Sequence, residues 1–110
     1  MLITDAIGAT GMGDGTYPLG DRTVTVRGLE ARLDDGTLAG SVLTIDQALR
    51  NLIDLGVDPV TAIAAATTAP AALIGRTASL APGNVADLVV LDDAFEVTAV
   101  HIGGVETFRR

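Results

Sequence analysis

The stretch Met1-Leu2-Ile3-Thr4-Asp5-Ala6-Ile7 sets three apolar side chains in a row ahead of a carboxylate. An apolar run without polar alternation marks a strand buried on both faces, as in parallel sheets. The reading is therefore a short strand over residues 1–7 with Asp5 near its carboxyl end. In barrels of parallel strands, catalytic groups occupy that end. An aspartate entering a loop also serves as an Asx turn, bonding its own backbone. Position alone leaves both roles for Asp5 open.

Working outward, Gly8, Gly11, Gly13, Gly15 and Gly20 punctuate what reads as one long loop, with Pro18 inside it. Gly11-Met12-Gly13-Asp14-Gly15 lacks the lysine and following helix of a phosphate-binding loop, so a nucleotide site is not expected. Thr23–Arg27 alternates with Val24 and Val26 on one face, and Glu30–Leu33 with Ala31 and Leu33. Gly28-Leu29 between them fits a tight hairpin turn. Asp34-Asp35-Gly36-Thr37 is a second turn, and Leu38-Ala39-Gly40-Ser41 reads as a loop feeding a helix, with Ser41 a minor cap. Small residues in such a loop are usually conformational, although they also let backbone groups approach a ligand.

The helix after Thr44 is the clearest element. Thr44 and Gln47 form a capping box, and Ile45, Ala48, Leu49, Leu52 and Ile53 make one apolar stripe ending at Gly56. Asp58-Pro59 opens a second helix to about Ala66, with Val60, Ile63 and Ala64 expected inward. Thr68 is expected to cap a third, short helix closed by Gly75. Ala81-Pro82-Gly83-Asn84 is a turn. Strands are expected at Asp87–Leu91, Glu96–Ile102 and Val105–Phe108, with turns at Asp92-Asp93 and Gly103-Gly104.

Composition narrows the function classes. The 110 residues include no cysteine, which removes disulfides and thiolate metal sites. Seven arginines face fourteen acids for a formal charge of −7. Nucleic-acid binding needs a basic face, so no nucleic-acid partner is expected. No apolar run approaches a membrane span, and the N-terminus lacks the layout of a signal peptide, so the expectation is a soluble, cytoplasmic protein. Hydrophobic residues make up 48% and charged ones only 19%. Either the core is unusually full, or much of this surface is covered by something else. His101 is the sole histidine, without convergent partners for a metal or triad site. The pairs Asp34-Asp35 and Asp92-Asp93 and the terminal Arg109-Arg110 read as solvated turns and tail.

Two sets of residues resemble a known family. Leu2-Ile3-Thr4-Asp5-Ala6, Gly36-Thr37-Leu38-Ala39-Gly40-Ser41, and Leu43-Thr44 with Asn51-Leu52 resemble the C-terminal part of the N-acetylglucosamine-6-phosphate deacetylases. Ala69-Pro70-Ala71, Ala81-Pro82-Gly83 and Ala86-Asp87-Leu88-Val89-Val90 resemble the tail shared by the amidohydrolase superfamily. The resemblance implies an α/β fold: the end of a (β/α)8 TIM barrel of metal-dependent-hydrolase type, plus part of a small β-sandwich. Residues 1–80 would supply the last barrel strand, a loop and hairpin insertion, and outer helices. Residues 81–110 would supply sandwich strands.

The resemblance also implies a site. Asp5 would be the catalytic aspartate, and Leu38, Ala39 and Gly40 would contact the amino sugar. The substrate would be N-acetylglucosamine 6-phosphate, hydrolysed to glucosamine 6-phosphate and acetate. The divalent metal of the family (Zn, Fe, Mn or similar) would have its ligands outside this chain, which would then be inactive alone. The full-length enzyme would be a homodimer. The tail motifs alone would equally allow another amidohydrolase, such as a cyclic-amide hydrolase or deaminase. A stand-alone, non-catalytic domain is the reading of a different class.

Overall fold

A computed structural model describes all of residues 1–110. The chain divides into two compact units, Ile3–Ala48 and Leu49–Arg110, the latter taking in Met1–Leu2.

The first unit is built on an antiparallel meander of four strands: β1 (Gly15–Leu19), β2 (Arg22–Arg27), β3 (Glu30–Leu33) and β4 (Leu38–Ser41), in that order across the sheet. Two-residue turns set the register, pairing Leu19 with Arg22 and Arg27 with Glu30. Gly28 opens the second turn at φ 59°, a conformation that hairpin turns demand and glycine adopts without strain. The expected alternation is present. Val24, Val26 and Ala31 are buried together with Ala9, and Ile7, Tyr17, Leu19, Ala39 and Val42 pack around them.

Three expectations for this unit need correction. Residues 1–7 form no strand. Their only ladder contact is a parallel bridge from Ala6 to Ser41, and a strand exists only through hydrogen bonds to neighbours on its flanks. The glycine loop is shorter than expected, because Gly15–Leu19 is β1. Pro18 was the misleading signal: β1 is an edge strand, where a residue without an N–H is tolerated. The remainder, Gly8–Asp14, is tied down. The Tyr17 hydroxyl donates to the carbonyls of Met12 (2.9 Å) and Gly13 (3.0 Å), and Asp14 accepts from the Gly28 N–H (2.8 Å). Finally, Leu38–Ser41 is strand β4 and not a loop.

Helix α1 (Ile45–Asp54) starts and stops where its pattern indicates. The Thr44 carbonyl accepts from Ala48. At the other end Gly56, at φ 88°, donates to Ile53 while Val57 donates to Leu52, a Schellman closure. Ala48 and Leu49 are the buried members of its stripe.

In the second unit, α2 (Pro59–Ala66) is capped by Asp58, whose side chain accepts from the Thr61 N–H. Its inward residue is Ala62; Val60 is 74% exposed and Ile63 is exposed as well. The helix is apolar nearly all round, so periodicity could not identify its buried face. In α3 (Thr68–Leu73) the cap position falls on Thr67, and Thr68 is the first helical residue. Thr67 makes no side-chain cap; its hydroxyl donates to the Ile63 carbonyl instead. Leu2 donates to Ala65 at 2.7 Å.

A second meander follows, with β5 (Leu88–Leu91), β6 (Val97–Ile102) and β7 (Val105–Arg109) in order. Its only buried residue is Ala99, and β7 is exposed at every position. Across the whole chain only eight residues are buried, while Ile3, Leu38, Leu73, Ile74 and Leu80 are among the large apolar side chains left open. Of the two readings of the apolar composition, the unusually full core is not found. No helix is long and apolar enough to cross a membrane.

The C-terminal arginines are not a free tail. Arg110 bridges Asp92 (2.7 Å) and Glu96, its N–H donates to the Thr98 carbonyl, and Arg109 pairs with Glu106. Asp92 likewise is no merely solvated turn residue: it accepts from the N–H groups of Ala94 and Glu96. The Glu96 N–H, with lesser help from Arg110 and Ala94, holds the Asp92 carboxyl below its ordinary range against partial desolvation. The Arg109 guanidinium does the same for Glu106.

Two outcomes are expected. Val24→Ala removes two methyl carbons from the fully buried centre and lowers stability by about 1–3 kcal/mol in urea unfolding. Because Asp92 titrates lower when folded, its contribution is complete above about pH 5, where the unfolded carboxyl is also charged, and fades as pH falls through the folded value. Asp92→Asn should therefore flatten the loss of stability below about pH 5, measured as the urea midpoint against pH.

Candidate functional site

The site assembles where the N-terminal segment meets β4. Ser41 is the junction. Its N–H donates to the Asp5 carbonyl at 2.9 Å, and its carbonyl accepts from the Ile7 N–H at 2.9 Å. Its hydroxyl donates to the Thr4 carbonyl and accepts from the Leu43 N–H at 3.1 Å. The Thr4 hydroxyl accepts from the Ala6 N–H at 3.3 Å. Together these bonds bracket Asp5, which sits at φ 51°. Non-glycine residues seldom occupy this left-handed region, and aspartate is among the few that do so readily.

Gly40 makes the crossing possible. It lies at φ 109°, and a Cβ there would come within 2.8 Å of the Ile7 Cγ2 and 3.0 Å of the Asp5 carbonyl oxygen. The Asp5 carboxylate oxygen would be 3.7 Å from the same point. The absent side chain is thus what lets the Asp5 segment lie against β4.

Of the four residues singled out in the sequence, the structure brings Asp5 and Gly40 into direct apposition. Ala39 faces the core beside Val24 and Val26, partly buried, while Leu38 is 58% exposed at the start of β4. Asp5 is exposed, and its carboxylate takes no hydrogen bond or ion pair from the chain. Such a carboxylate can accept a proton from, or return one to, a group placed before it.

The Ser41 and Thr4 contacts were missed in the sequence. Their 37-residue separation leaves no local pattern, and the sequence offers Ser41 only a minor capping role and a place in the Gly36–Ser41 motif. It does also serve that way, toward Leu43.

No three side chains among histidine, aspartate and glutamate converge anywhere in the chain. His101 lies on β6, its Nε2 3.7 Å from the Glu106 carboxylate and its Nδ1 buried without a partner.

Known proteins resemble this chain in sequence and in fold. The sequence pattern of the amidohydrolase family matches residues 14–107, and the chain belongs to that family. An N-acetylgalactosamine-6-phosphate deacetylase from Escherichia coli O157:H7 is 43% identical over 94% of this chain and 29% of its own length. An N-acetylglucosamine-6-phosphate deacetylase from Caenorhabditis elegans is 40% identical over 98% of this chain and 27% of its own. The crystal structure of N-acetylglucosamine-6-phosphate deacetylase from Thermotoga maritima superposes with a TM-score of 0.85 at 37% identity, covering 98% of this chain and 31% of that one. The chain thus spans roughly 30% of the length of each of these three relatives.

Gly40→Ala is expected to lower stability by about 1–3 kcal/mol through the forced contacts and unfavourable φ. It should also speed amide exchange at Ser41, whose N–H is bonded to Asp5. Exchange and stability as in the parent chain would refute the close crossing.

Proposed function

We infer that this chain supplies the C-terminal part of an N-acetylglucosamine-6-phosphate deacetylase. The observation that carries the reading is the exposed Asp5 carboxylate set against Gly40 on β4. The named activities of the relatives support it.

The chemistry fits one carboxylate acting twice. Hydrolysis of an acetamide adds water to the carbonyl carbon and breaks the C–N bond. An amine leaves poorly unless protonated. Asp5 takes a proton from the attacking water and delivers it to the departing nitrogen, releasing acetate and the amino sugar phosphate. In this reading Leu38, Ala39 and Gly40 line the place of the sugar. The metal of the family is assigned to polypeptide outside this chain, as are the groups that bind the phosphate.

The architecture follows the same reading. Residues 1–80 belong to the end of a TIM barrel and residues 81–110 to a small β-sandwich. The open apolar side chains away from the place of the sugar, Ile3, Leu73 and Leu80 among them, are the faces that the remaining polypeptide covers. The working protein is a cytoplasmic homodimer. A galactosamine epimer as substrate is the second reading, favoured by the 43% identity to the E. coli enzyme named for it.

The test joins this chain to the remaining part of the T. maritima relative, in trans or as a fusion. Acetate release from N-acetylglucosamine 6-phosphate is expected from the joined protein and not from the chain alone. Asp5→Asn should reduce it by about 100-fold or more. A folded assembly that releases no acetate from either epimer would contradict the assignment, and release from the galactosamine epimer alone would favour the second reading.

A further inference from the structure

We propose that Ser41 is the positioning residue for Asp5: it fixes the left-handed main chain from which the carboxylate projects. The proposal rests on the reading of Asp5 as the proton-transferring group.

Three bonds from one residue carry it. The Ser41 hydroxyl donates to the carbonyl before Asp5, its N–H to the carbonyl of Asp5, and its own carbonyl accepts from Ile7 beyond it. The main chain at φ 51° is thereby gripped on both sides of the reacting residue. Two of these bonds use the backbone and survive any substitution but proline. The hydroxyl bond to Thr4 does not, and it is the one that fixes the peptide leading into Asp5. Serine suits the position because one hydroxyl both donates to Thr4 and accepts from Leu43. It couples the Asp5 turn to the segment leading into α1.

Aspartate tolerates left-handed geometry better than most residues, yet its surroundings decide whether it stays there, and residues so held are found at working sites. Without the hydroxyl, Asp5 is free to relax toward extended backbone, which would swing the carboxylate away from Gly40. A small misplacement of a reacting group is enough to slow a reaction about 100-fold while substrate binding is little affected.

The experiment has two arms. In the joined enzyme described above, Ser41→Ala should lower kcat by about 10–100-fold with KM within about twofold, and Ser41→Thr, which keeps the hydroxyl, should recover most of the rate. In the 110-residue chain, the Asp5 HN–Hα coupling and Cα shift report φ directly. Ser41→Ala should move both toward extended values while the Val24, Val26 and Ala31 signals stay in place. Should the alanine variant fail to fold, Ser41→Cys, with its weak donor, is read in the same two ways. Unchanged kcat together with an unchanged Asp5 coupling would overturn the proposal. If the joined parent enzyme is inactive, the deacetylase reading fails on its own; the coupling then decides whether Ser41 sets the Asp5 conformation.

Discussion

The site depends on a close crossing of two backbones. Asp5 can lie against β4 only because Gly40 has no Cβ; any side chain there would meet Ile7 and the Asp5 carbonyl at less than ordinary contact distance. Once the backbones are that near, Ser41 can bond on either side of Asp5. The positive φ of Asp5 then becomes the relaxed solution for this crossing. Glycine in the Leu38–Gly40 segment therefore has a structural duty toward the aspartate in addition to any contact with a ligand.

That crossing is anchored by the small core of the first unit. Val24, Val26 and Ala31 bury the inner face of the meander, and Ile7 and Ala39 pack onto it from the segments that cross. Ile7 lies two residues beyond Asp5, and Ala39 one before Gly40. Burial of apolar surface thus holds the two segments in register, while the hydrogen bonds fix the local geometry. The second unit offers no comparable core: its three-stranded sheet buries Ala99 alone.

What the sequence made legible was whatever local chemistry governs. The Thr44 start and Gly56 stop of α1, the Asp58-Pro59 opening of α2, and the β2–β3 hairpin all follow from residues within a turn of one another. What it concealed depends on partners distant in the chain. Leu2-Ile3 looks like a strand, yet only Ala6 finds a ladder neighbour, so no strand forms. Pro18 looks like a loop residue, yet it sits on an edge where its missing N–H is harmless. In α2 the apolar residues encircle the helix, so Val60 and Ala62 could not be ranked by pattern. Asp5 stands out by its place after an apolar run and Gly40 by its small neighbours, while the family resemblance implies their roles. The 37-residue link from Thr4 to Ser41 that joins their segments had no signature to read.

The proposed reaction requires Asp5 to meet the amide nitrogen of an N-acetyl amino sugar. The direct measurement is a crystal structure of this chain joined to the remaining polypeptide, with N-acetylglucosamine 6-phosphate bound. Expected there is an Asp5 carboxylate oxygen about 2.6–3.2 Å from the amide nitrogen, or one water away from it, with the sugar against Leu38–Gly40. An acetamide group bound elsewhere, with Asp5 turned from it, would contradict the account.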